Sequence, residues 1–278
     1  LALDYARDVL PLTPAGAATE RHIIRAYIGK SKDRFGHALE VANFWTRALG
    51  RDFDEVVDLL ADRAALEEAV RAKLVKRGGL GYEPPSETTF PPVDDFIRWV
   101  RSCEAVPMIA WLDGASPAER DGRALLECLL AKGAAALNII PDRNWNVPDA
   151  AQRRTKIAAL HAIVQAAEDL ALPVNIGTEM NKPGQPFVDD LDTEALRPHA
   201  ECFRRGARVM VGHTLLLRYA GYSYIGARAA AEFPDRRARN AFFAAVGALP
   251  PLTGDGAREL EDAGPERALA ALRRQAGF

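Results

Sequence analysis

Four side chains able to do chemistry stand at the ends of short apolar runs: Asp113 in AVPMIAWLDG, Asp142 in AAALNIIPD, Glu179 in LPVNIGTE and His213 in ARVMVGH. Successive members are 29, 37 and 34 residues apart. Three carboxylates and an imidazole are hard or borderline ligands, suited to Zn²⁺, Mn²⁺, Mg²⁺ or Fe²⁺ rather than to a soft metal. A divalent metal ion is therefore the expected cofactor, with Asp113, Glu179 and His213 as ligands and Asp142 as general base. A strand-end aspartate also caps helices and forms turns. Asp113, in DGASP, is the most open to that reading.

The adjoining loops add polar groups. PDRNWN offers Arg143, Asn144 and Trp145, and EMNKPGQP offers Asn181 and Lys182. Arg143 and Lys182 are expected in catalysis, as charges that anchor or neutralise an anionic group. Asn144, Trp145, Asn181 and Thr214 are expected to contact substrate. His22 lies early in a predicted helix behind a Pro-Ala-Gly turn, a position that can also face a pocket. His161 and His199, inside amphipathic helices, read as structural or surface residues, and His37 as surface or capping.

These groups need elements to position them. After residue 95, short apolar runs alternate with helical segments, the pattern of parallel strands covered by helices on both faces. Strand ends near 113, 142, 179 and 213 fit the roughly 31 residues per unit of an eight-fold βα barrel, whose catalytic groups lie at the carboxyl ends of the strands. The expected fold class is α/β, TIM-barrel-like, with helical N-terminal and C-terminal regions. Four strands are half a barrel. Either the chain, which starts at Leu1 rather than Met, is a shortened piece of a larger protein, or the sheet is open, and then ligands also bind at carboxyl strand ends.

Residues 1–95 read as a mainly helical region and 96–278 as the βα region. FDEVVDLLADRAALEEAVRAKLVKR reads as a long amphipathic helical stretch, and GGLGYEPPSETTFPPVDD as the boundary loop.

Composition narrows the partners. The 278 residues carry 36 basic and 38 acidic side chains, a net charge of −2, which argues against nucleic acid. No apolar run is long enough to span a membrane. Three scattered cysteines without a C-x-x-C pair suit a reducing, cytoplasmic setting. A small-molecule substrate is expected. A homo-oligomer is also expected if the helical N-terminal region acts as an oligomerisation arm.

NIGTE resembles the Gly-x-Glu strand end of metal-dependent hydrolase barrels of the polymerase-and-histidinol-phosphatase (PHP) type and the wider amidohydrolase-like group, and VGH resembles their last strand. The resemblance covers about residues 104–220 and implies that Glu179 and His213 bind metal. Those families also carry a His-x-His pair on the first barrel strand, and no such pair occurs in this chain.

The leading expectation is a metal-dependent hydrolase of a small anionic substrate, such as a phosphoester or a carboxylated amide, with a metal-activated water. The second is a metal-dependent sugar or sugar-acid isomerase or lyase, similar to xylose-isomerase-like barrels. The third is a non-catalytic barrel remnant acting as an oligomeric scaffold.

Overall fold

The computed structural model of the chain describes residues 1–179 and 187–278. It divides into two compact units, Leu1–Phe90 and Pro91–Phe278.

In the first unit, α1 (Glu20–Phe35), α2 (Ala38–Leu49), α3 (Phe53–Ala61) and α4 (Arg63–Leu74) surround one apolar core. On α2 the buried residues Val41, Trp45 and Leu49 recur every four positions, the spacing of one helical face. The helical stretch expected over 53–77 divides into two helices at Asp62. That residue is extended, and its carboxylate accepts from the Ala64 and Ala65 N–H groups at 2.9 and 3.1 Å. An N-cap satisfies donors that a continuous helix would spend on its own carbonyls, so the chain restarts there.

In the second unit, α5 (Val93–Ser102) leads into β1 (Met108–Trp111). There follow α6 (Gly122–Ala131), β2 (Ala136–Ile139), the single turn α7 (Asp142–Trp145), α8 (Ala150–Asp169) and β3 (Val174–Ile176). The strands are parallel in the order β1-β2-β3. The register sets Ile109, Leu137 and Val174 in one row and Trp111, Ile139 and Ile176 in the next. These rows pack with Leu126 of α6 and Leu160, Ile163 and Val164 of α8. The adjacent row, Ala110, Asn138 and Asn175, points to the opposite face and is exposed or half-buried.

The sheet is open, and the expected TIM barrel is not formed: 61% of the described residues are helical and 4% are strand. The fourth expected strand, 207–213, lies inside α9 (Ala200–Ala220). A seven-residue apolar run does not distinguish strand from helix. Its surroundings do: buried Phe203, Gly206, Val209, His213, Leu216 and Ala220 recur three or four residues apart. The glycines serve close crossings. A Cβ on Gly206 would lie 1.9 Å from the Val174 carbonyl oxygen, and one on Gly212 would lie 1.9 Å from that of Phe243. After α9 come α10 (Ala227–Glu232), α11 (Arg236–Gly247), α12 (Gly254–Ala263) and α13 (Pro265–Ala276). They build a second core around Tyr222, Phe242, Phe243 and Leu272. Among the described residues, no helix is long and apolar enough to cross a membrane.

Candidate functional site

The carboxyl ends of the strands gather charged groups that the chain keeps well apart. After β1, Asp113 forms a turn by accepting the Ala115 N–H at 3.0 Å, and its second oxygen lies 2.8 Å from Lys156 Nζ on α8. Burial pushes the Asp113 carboxyl up, but the Lys156 ammonium, the Ala115 N–H and Arg143 outweigh it, and its pKa is lowered. After β2, the turn α7 carries Asp142, Arg143, Asn144 and Trp145. Asn144 is fully buried, and its amide donates to the Leu112 and Ile140 carbonyls at 3.0 and 3.2 Å. It thereby ties the end of β1 to the end of β2.

Glu179, after β3, holds Arg143 in a fork. Nε and Nη2 of the guanidinium donate to its two oxygens at 2.8 and 3.0 Å. The pair occupies one edge of the guanidinium, and among the described residues it leaves Nη1, on a 40% exposed side chain, for another acceptor.

Asp189 completes the edge. Only 5% of it is exposed, and its Oδ1 has no hydrogen-bond partner among the described residues. Burial, followed by the charge of Asp142, raises its pKa, against the opposing contacts with the Thr178 side chain and the Asp142 backbone. Burial and the neighbouring carboxylate both favour the protonated form of Asp189. The Asn144 Oδ1, the Trp145 Nε1 and the Trp111 Nε1 also lack partners among the described residues. Buried polar groups are normally paired, so this concentration at one edge of a sheet requires an explanation. A cavity of about 400 Å³ lies at the end of β1, with Trp111, Glu119 and Arg120 in its wall and α8 behind it.

The structure therefore brings Asp113, Asp142, Arg143, Asn144, Trp145 and Glu179 to the same edge. It does not bring His213 there. His213 sits within α9, accepts the Tyr224 N–H on Nδ1 at 3.2 Å and lies against Glu104, which precedes β1. Burial lowers its pKa, opposed by the Glu104 backbone and carboxylate. With His213 at the other end of the strand and cations on Asp113 and Glu179, the three do not fit one metal centre. Among the described residues no group of three or more His, Cys, Asp or Glu is placed to hold a metal.

Thr214 is on α9, where its hydroxyl donates to the Met210 carbonyl at 2.9 Å. His22 caps α1: its Nδ1 accepts the Thr19 N–H at 3.0 Å. Asn181 and Lys182 lie outside the described residues. Sequence reasoning missed Lys156 and Asp189. Lys156 sits among other charges on a long helix, and Asp189 ends no strand, so neither spacing nor composition marks them.

Comparison of the chain with protein-family models, with curated proteins and with solved structures finds no match.

Proposed function

We propose that the chain is a hydrolase of a small anionic substrate, acting at the carboxyl edge of its sheet with Asp142 and Asp189 as an acid–base pair. The observation that carries this reading is Asp189, a buried carboxyl beside a second carboxyl, with one oxygen unpaired among the described residues. The free end of the Arg143 guanidinium anchors the anionic group, while Glu179 holds the fork in place. Asp142 takes a proton from water as its oxygen attacks the carbonyl or phosphoryl centre. At a pH below its raised pKa, Asp189 gives its proton to the departing amine or alcohol, and the proton on Asp142 then returns the pair to its starting state.

The test is hydrolysis of a panel of carboxylated amides and phosphoesters. Asp142→Asn and Asp189→Asn should each lower kcat by about a hundredfold or more, and Arg143→Lys should act chiefly on KM. Turnover that survives both carboxyl variants unchanged overturns the reading.

A further inference from the structure

Two histidines that no step above uses meet beside the second unit's first core, where His199 lies against Phe203. His161, on α8, places Nδ1 2.6 Å from Nε2 of His199, in the turn that leads into α9. Their ring centroids are 4.9 Å apart and tilted by 46°. Both residues are half-buried.

We infer that His161 Nδ1 and His199 Nε2 form a binding site for a first-row transition metal ion such as Zn²⁺, with water completing the coordination. Imidazole nitrogens converging on one point are the donor set such ions prefer. Each ring then keeps its proton on the outward nitrogen, so neither has to become charged. Two bonds of about 2.1 Å at a tetrahedral angle put the nitrogens roughly 3.4 Å apart. The rings must therefore separate by less than about 1 Å, a small adjustment for half-buried side chains. A bound ion would fasten α8 to the lead-in of α9. The inference is independent of the hydrolase reading, because it uses none of the same residues.

The experiment is calorimetric titration of the whole chain with zinc chloride alone, repeated on His161→Ala and His199→Ala. One equivalent is expected, with affinity reduced at least tenfold in each variant. Imidazole ¹⁵N spectra of the wild type guard against a variant that misfolds: zinc should shift His161 Nδ1 and His199 Nε2. No binding up to millimolar zinc overturns the site and leaves a hydrogen bond between two neutral rings. So does binding unaffected by both substitutions, or a shift at His22, His37 or His213 instead.

Discussion

Replacing Asp189 with Asn should make the protein more stable at neutral pH while removing the chemistry assigned to it. The carboxyl is 5% exposed, has one unpaired oxygen and sits beside Asp142. A buried acceptor without a partner costs about 1–3 kcal/mol, and more when charged. Asn keeps the shape, removes the charge and turns repulsion from Asp142 into attraction between a donor and a carboxylate. Because the amide still has to be desolvated, the expected gain is near the lower end, about 1 kcal/mol. For a unit of this size that raises Tm by roughly 2–4 °C.

The pH dependence has a definite sign. The folded pKa of Asp189 lies above the ordinary 3.8, so the native state binds this proton more tightly than the unfolded chain does. Wild-type stability therefore falls as pH rises from about 3.8 through the folded value, and stays lower above it. The variant lacks this component. Its advantage should be absent below the ordinary carboxylate range and grow as pH rises through that window. Urea denaturation of both proteins at several pH values from 3 to 8 measures it. An Asn variant less stable than wild type by 1 kcal/mol or more at pH 7, or a difference independent of pH, refutes the reasoning.

Two further predictions concern packing. Gly212→Ala should destabilise by about 1–3 kcal/mol or more, because its Cβ would meet the Phe243 carbonyl of α11. Gly29→Ala, in open space on α1, should instead stabilise by about 0.5–1 kcal/mol. Thermal melts of both variants check the contrast, and a neutral Gly212→Ala would contradict the helix crossing. Ser31→Ala should cost about 1–3 kcal/mol, since the buried Trp45 indole N–H donates to Ser31 Oγ at 3.0 Å and would be left unpaired. Chemical denaturation measures the loss, and a cost below about 0.5 kcal/mol would mean that water replaces the hydroxyl.

The strands that were legible and the one that was not differ in what lies beyond them. MIAW, ALNI and VNI are short apolar runs that a parallel sheet buries, and each is closed by a turn or loop. VMV has the same local texture, but its fate is decided by Gly206 and Gly212. Their partners are backbone carbonyls of Val174 and Phe243, about thirty residues away in either direction. No window around VGH contains that information, so a residue read as a strand-end ligand becomes a buried helix residue. The same non-locality governs the acids. Asp189 and Asp190 are adjacent and identical in type, yet one is buried beside Asp142 and the other is exposed. Glu179 and Asp113 were visible as carboxylates at strand ends, but Arg143 and Lys156, from other elements, decide that they serve as counter-charges. Residue type announces that a group can hold a proton or a metal. Which of the two it does depends on burial and on partners that only the tertiary fold supplies.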